Sequence, residues 1–212
     1  MKENEICQKT ANHLLQIKAI KLEPANPFTW ASGWLSPIYC DNRRILSFPE
    51  TRDFIRDSFV FLIKDKYPEV EAIAGVATGG IAHGVLAAQE LGLPFVYVRP
   101  EPKKHGLANA IEGVFSKGQK IAVIEDLIST GGSSLKAVNL LREAGAEISG
   151  LVAIFTYGFD IAKKRFAQNR CDYTTLSNYD VLIGESLKQN YIQEKDTETL
   201  KKWRKDPAKW HP

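Results

Sequence analysis

No run of 18 apolar residues occurs in the sequence, so no segment reads as a bilayer-spanning helix. The first twenty residues, MKENEICQKTANHLLQIKAI, alternate polar and apolar positions where a secretory signal needs a continuous apolar stretch. A cytoplasmic protein with no membrane partner is expected. Cysteine is scarce: Cys7, Cys40 and Cys171 are odd in number, far apart and never in C-x-x-C spacing. Neither a disulfide framework nor a zinc site is indicated, and the three are read as ordinary thiols. Net charge is small as well, +3 at pH 7, which gives no ground for a nucleic-acid partner and requires any polyanion to be bound locally. Two nucleotide motifs are missing. There is no G-x-x-x-x-G-K-[ST], and GVATGGIAHG lacks the G-x-G-x-x-G spacing, which argues against a P-loop NTPase and a dinucleotide-binding dehydrogenase.

What is present is an ordinary globular composition, 44% hydrophobic and 25% charged over 212 residues, long enough for one substantial core. A single domain, 1–212, is expected. Ile6, His13, Leu14, Ile17 and Ile20 fit one helical face, and Phe54, Ile55, Phe59, Leu62 and Ile63 fit another that begins after Pro49. Short apolar runs follow at 72–77, 95–98, 121–125 and 151–157, which suit strands covered on both faces. Helical segments at about 81–92, 133–144 and 160–168 separate them. The alternation predicts an α/β fold with a mostly parallel central sheet flanked by helices. Residues 21–48, with three prolines and strand-like aromatics, break the pattern and predict an appendage beside the sheet. Trp203, Trp210 and the basic stretch KKWRKDPAKWHP suit a C-terminal helix and tail lying on the core.

The stretch IAVIEDLISTGGSS (121–134) carries the chemistry. A strand delivers Glu125 and Asp126 to its carboxyl end, where open α/β sheets place their ligand crevice. A helix starts near Ser133, and its first backbone amides offer a phosphate site that needs no lysine. Gly131 and Gly132 let the backbone approach the phosphate, while Ser129, Thr130 and Ser133 offer hydroxyls. Two acceptor-only carboxylates beside a phosphate cradle match vicinal sugar hydroxyls. Together these features describe a ribose 5-phosphate. A second cluster, Arg99, Lys103, Lys104 and His105, puts four cations into seven positions among Pro100, Pro102 and Gly106, and a loop of that kind can close on an anion.

VIEDLISTGGSS (123–134) resembles the 5-phosphoribosyl 1-diphosphate (PRPP) signature of type I phosphoribosyltransferases. FTWASGWLSPIYCDNR (28–43) is similar to the N-terminal hood segment of orotate phosphoribosyltransferases, and YVRPEPKKHG (97–106) to their catalytic loop, R-x-x-x-K-x-H-G. The resemblance implies a type I phosphoribosyltransferase fold with a small hood from about 1–48. It implies transfer of the phosphoribosyl group of PRPP to N1 of orotate, giving orotidine 5′-monophosphate and diphosphate in pyrimidine biosynthesis. Mg²⁺ is the implied cofactor, with no direct protein ligand assigned. A homodimer with shared active sites is also implied, because Arg99, Lys103 and His105 match positions that meet the diphosphate, reaching into the neighbouring subunit's site.

By the same resemblance PRPP is bound by Arg99, Lys103, His105, Glu125, Asp126, Leu127, Ile128, Ser129, Thr130, Gly131, Gly132 and Ser133. Lys103, His105, Arg99 and Asp126 are the catalytic set, and Ser129, Tyr39 and Cys40 are placed at orotate. ATGG (77–80) is either a plain strand-to-helix turn or the loop under the diphosphate. The sequence departs from the enterobacterial pattern, which has lysines at the places of Ala31, Gly79 and Pro100 and an arginine at that of Tyr157. The counter-charge for the orotate carboxylate is thereby left open between Arg43, Arg44 and backbone amides near Tyr39 and Cys40. His13 and His211 are read as structural or solvated, and His83, close to the site, as a packing residue of its helix. A PRPP-responsive regulator would need a DNA-binding helix pair that residues 1–48 lack. A purine phosphoribosyltransferase would share the PRPP loop without the hood segment.

Overall fold

In a computed structural model, which describes residues 2–30, 33–99 and 110–211, the expected alternation is laid out in full. Helix α1 (Glu3–Gln16) carries Glu3 and Glu5 in its first turn, where the helix dipole favours acids, and buries Ile6, Ala11, Leu14 and Leu15. The helical face expected to run through Ile20 stops earlier. Ile17 caps the helix, and Lys18 takes a left-handed φ of 55° that turns the chain into a strand. His13 stacks on Phe54 with ring centroids 4.7 Å apart, as suits a structural histidine.

The described residues of 20–40 form the appendage. Strands β1 (Ile20–Leu22), β2 (Phe28–Thr29), β3 (Leu35–Ser36) and β4 (Ile38–Cys40) make two antiparallel pairs, β1 with β4 and β2 with β3. A 3₁₀ turn, Asn42–Ser47, leads into α2 (Pro49–Lys66), and Pro49 stands at the first helical position, where its missing N–H costs nothing.

The main sheet is built from β5 (Ala72–Val76), β6 (Phe95–Val98), β7 (Ile111–Glu112), β8 (Lys120–Ile128), β9 (Glu147–Thr156) and β10 (Tyr173–Asn178). Their order is β10-β9-β8-β5-β6-β7, parallel throughout except for the β6–β7 pair. Crossovers run through α3 (Gly79–Leu91), α4 (Gly132–Glu143) and α5 (Asp160–Gln168), and α6 (Tyr179–Lys188) and α7 (Asp196–Lys205) end the fold. All five residues of β5 are buried. Alternate residues of the strands feed two cores. Ile73, Ala122, Ile124, Val152 and Ile154 pack with α1, α2 and the appendage, whereas Ala74, Val123, Leu151 and Ala153 pack with Leu135, Val138 and Phe166 of α4 and α5.

One strand runs further than its apolar run predicts. Glu125, Leu127 and Ile128 keep pairing with Ala153, Phe155 and Thr156 of β9, so the strand continues three residues past the expected 121–125 and both acids lie within it. No helix among the described residues is long and apolar enough to cross a membrane.

The C-terminal segment lies on the core as expected. Trp203 of α7 is fully buried, and its indole N–H donates to Leu35 O in the appendage at 3.2 Å. Its ring packs edge-on against Trp30, Tyr157 and Phe159. Trp203→Ala is therefore expected to cost about 3–5 kcal/mol of stability, the range for emptying a large aromatic site. Urea unfolding of the two proteins measures it, and Trp203→Phe should recover part of the loss.

Candidate active site

The carboxyl ends of β5 and β8 meet at a cleft of about 320 Å³ lined by Val76, Ala77, Thr78, Glu125, Asp126, Leu127 and residues 129–133. Sheet topology puts them there, because β5 and β8 are adjacent and parallel. A larger cavity of about 590 Å³ lies on another side of Thr130, walled by Trp34, Phe159, Tyr179 and the C-terminal helix. It shares Thr130 with the first cleft but holds none of the carboxylates expected at the site.

The two acids differ in environment. Glu125 is only 4% exposed, and both its oxygens already accept hydrogen bonds, one from Ser134 Oγ at 2.9 Å and one from the Asp126 amide at 3.0 Å. Burial first, and then the neighbouring Asp126 carboxylate, push its pKa well above the ordinary carboxylate range. Asp126 is half-buried and borders the cleft. Its carbonyl accepts a 2.7 Å hydrogen bond from Asn42 Nδ2, across 84 positions of sequence.

Next to the acids the chain makes the small-residue loop. Gly131 has φ 77°, and a Cβ there would stand 2.8 Å from the Phe166 ring, so glycine is required on both counts. Around Gly132 the nearest atoms to such a Cβ are 3.8 Å away, which leaves its backbone open to approach. No side chain caps α4, so its first amides remain available to an anion. Arg165 of α5 steadies the loop by donating to Thr130 O at 3.1 Å. Leu127 packs against one core and also lines the cleft, whereas Ile128 is buried in the other core and is not among the cleft's lining residues.

Other expected positions are distributed as follows. Arg99 follows β6, where its amide donates to Ala110 O and its guanidinium pairs with Glu112 of β7. Lys103, Lys104 and His105 lie outside the described residues. Tyr39 and Cys40 stand on β4. Tyr39 is 42% exposed, and the Cys40 thiol, near Asn42 Oδ1 at 3.4 Å, is pushed well up in pKa by burial and by the charges of Asp126 and Asp41. Arg43, 64% exposed, is held by Asp41 at 2.7 Å, and Arg44 donates to Ile17 O at the end of α1 at 3.2 Å. Tyr157 is 2% exposed within the aromatic cluster around Trp203.

Three residues of this neighbourhood were not singled out as partners by sequence. Asn42 and Ser134 bind the acids, and His83, 2% exposed in α3, lies close enough to feel Asp126. Nothing in the local sequence marks Asn42 as a partner of β8. His83 packs in its helix as expected. Burial drags its imidazole from the usual 6.5 to about 4, against the pull of Asp126 and of a hydrogen bond with the Asn42 backbone.

A sequence profile of the phosphoribosyl transferase domain matches residues 44–190. The orotate phosphoribosyltransferase of Phocaeicola vulgatus is 56% identical over 200 residues, 94% of this chain and 94% of that one. That of Cytophaga hutchinsonii is 56% identical over 203 residues, covering 96% and 97%. Among solved structures, orotate phosphoribosyltransferase from Aeropyrum pernix superposes with a TM-score of 0.75 at 26% identity, over 86% of this chain and 99% of its own.

The His83 shift has a definite sign. Between pH 6.5 and about 4 the unfolded chain binds a proton at His83 that the folded chain refuses, so its contribution to stability is complete above 6.5 and is lost as pH falls towards 4. Over that window the wild type is expected to lose up to about 3 kcal/mol relative to His83→Gln, since each pKa unit is worth about 1.4 kcal/mol. Paired urea unfolding at successive pH values isolates this histidine from the other titrating groups. Parallel stability curves would contradict the assignment.

Proposed function

The chain belongs to the phosphoribosyl transferase family and, within it, to the orotate phosphoribosyltransferases; on that premise we infer that it transfers the 5-phosphoribosyl group of PRPP to N1 of orotate. The products are orotidine 5′-monophosphate and diphosphate, a step of pyrimidine biosynthesis. The observation that carries the reading is the cleft in which Asp126 and the open start of α4 face one ligand volume. The residues act together as one domain, 1–212, with the appendage as hood. A phosphorylated sugar and a pyrimidine acid suit a cytoplasmic enzyme, and neither nucleic acid nor membrane enters this reading.

In this mechanism the 5-phosphate is held by the first amides of α4 and the hydroxyls of Ser129, Thr130 and Ser133, with Leu127, Ile128, Gly131 and Gly132 contributing backbone. Asp126 accepts from the ribose diol. Glu125, bonded to Ser134, supports it from behind and keeps the loop closed over the strand. Tyr39, Cys40 and Ser129 border orotate under the hood. Negative charge builds on the departing diphosphate as the ribose carbon becomes cationic, so cations aimed at the leaving group lower the barrier. Arg99, Lys103 and His105 fill that role, with Lys103 the main donor.

Mg²⁺ fits this site as an ion held mostly by substrate. Among the described residues no group of three or more His, Cys, Asp or Glu could hold a metal. A cleft-facing carboxylate beside a phosphate cradle nevertheless supplies the hard oxygen that Mg²⁺ prefers, with diphosphate, ribose hydroxyls and water completing its shell. Asp126 is the residue that would reach it, directly or through water. When bound, the ion neutralises part of the charge on the leaving diphosphate.

Incubation with PRPP, Mg²⁺ and each free base in turn, following loss of base, tests the reaction. Orotate alone should be consumed, and excess chelator should stop it. Consumption of a purine base would overturn the assignment, and full activity in chelator would remove the metal.

The shared site is testable by subunit exchange. In a C₂ dimer whose loops cross, a mixed dimer of Lys103→Ala and Asp126→Asn subunits has one site with both lesions and one with neither. Random pairing makes about half the dimers mixed, so activity should return to about a quarter of wild type from two nearly inactive parents. No recovery despite demonstrated exchange would return Lys103 and His105 to the site of their own chain.

A further inference from the structure

The side chain of Asn42 stands between residues read at two different substrates. It is 1% exposed, and both ends of its amide are engaged. Nδ2 donates at 2.7 Å to the carbonyl of Asp126, the acid read at the ribose diol. Oδ1 accepts at 3.4 Å from the thiol of Cys40, which is read at orotate. The amide cannot be turned round, because its own oxygen would then face the Asp126 carbonyl with no proton between them. The two sides it joins differ in stiffness. Strand β8 is paired to β5 through Gly75 and Ile124 and to β9 through Leu127 and Phe155, so Asp126 stands on a clamped strand. Among the described residues, β4 has only the three-residue β1 as a strand partner, and a two-stranded ribbon of that kind is not rigid by itself. The end of β4 takes its place from what ties it to the main sheet.

We propose that Asn42 is a positioning residue for the pyrimidine: its amide fixes the end of β4, with Tyr39 and Cys40, against Asp126, and so sets how N1 of orotate meets the ribose carbon of PRPP. This rests on the reading of Tyr39 and Cys40 as the orotate side and of Asp126 as the PRPP side. Because the strand is clamped and the ribbon is not, loss of the bond displaces the hood and leaves Asp126 in place. The two substrates are then affected unequally. Orotate loses its register, while PRPP keeps its phosphate loop and its carboxylate.

Wild type and Asn42→Ala are compared by orotate consumption, with each substrate varied in turn, and by urea unfolding. Asn42→Ala should raise the KM for orotate about tenfold and lower kcat by about as much or more, the scale on which an ångström of misplacement acts. The KM for PRPP should move far less. A rise in the KM for PRPP that equals or exceeds that for orotate would put the bond in the service of Asp126 and overturn the proposal. A lower unfolding midpoint with both KM values and kcat unchanged would make Asn42 purely structural and overturn it too. If Asn42→Ala does not fold, Asn42→Ser, whose hydroxyl stops one bond short of the amide nitrogen, is measured with the same expectations. If neither variant folds, the residue serves stability alone and the proposal falls. A wild type that consumes no orotate with PRPP would remove the reading of the site and this proposal with it.

Discussion

The hydrogen bond from Ser134 Oγ to Glu125 is the interaction on which the site depends. It ties the end of a central strand to the first turn of the helix that follows, and the nine-residue separation forces the chain between them into a tight loop. Because Glu125 is buried, breaking that bond would leave one carboxyl oxygen, Oε2, without its partner away from water, at a cost exceeding the net worth of a surface hydrogen bond. The loop therefore keeps its shape without a ligand inside it, and its backbone amides are pre-positioned. The raised pKa of Glu125 belongs to the same arrangement, since burial and the neighbouring Asp126 carboxylate both disfavour its charged form.

A second tie brings the hood into this frame. Asn42 reaches from the 3₁₀ turn to the carbonyl of Asp126, and His83 of α3 meets the Asn42 backbone. The strand with the acids, the helix beside the phosphate loop and the hood thus converge on one buried polar knot. On the far side, Trp203 holds the hood through Leu35 O. A two-stranded ribbon is marginal by itself in water, so the short β1–β4 and β2–β3 pairs owe their order to these two anchors.

Local pattern was enough to find what is local. Phe95–Val98 is the strand that its β-branched and aromatic run announces, and α5 occupies the expected 160–168. The phosphate loop was legible because its glycines, hydroxyls and acids are contiguous. Strand β10 was not, since TTLSN is polar and half-exposed at the sheet's edge, where one face and one side need no apolar cover. The extension of β8 through Ile128 was hidden by its acids, whose pairing is imposed by β9 and not by their propensity. Long-range partners such as Asn42 and Asp126 leave no periodic trace, because nothing in either segment encodes an encounter 84 residues away. The unequal lot of the two acids was equally unreadable, as burial is a property of the assembled sheet. The cationic loop, named from its composition, falls outside the described residues for Lys103 and His105.

The placement of the tryptophans has an optical consequence. The chain has four, and all lie in the hood or the C-terminal segment: Trp30 and Trp34 in the first, Trp203 and Trp210 in the second. None belongs to the parallel sheet. Trp30 and Trp203 meet edge-on with ring centroids 5.6 Å apart, and the Tyr157 ring lies within 5.6 Å of both. The intrinsic emission of this protein is accordingly a local signal, dominated by the seam between hood and C-terminal helix. Its wavelength and quenching report how the cover sits on the enzyme, while the sheet that carries the chemistry stays nearly dark.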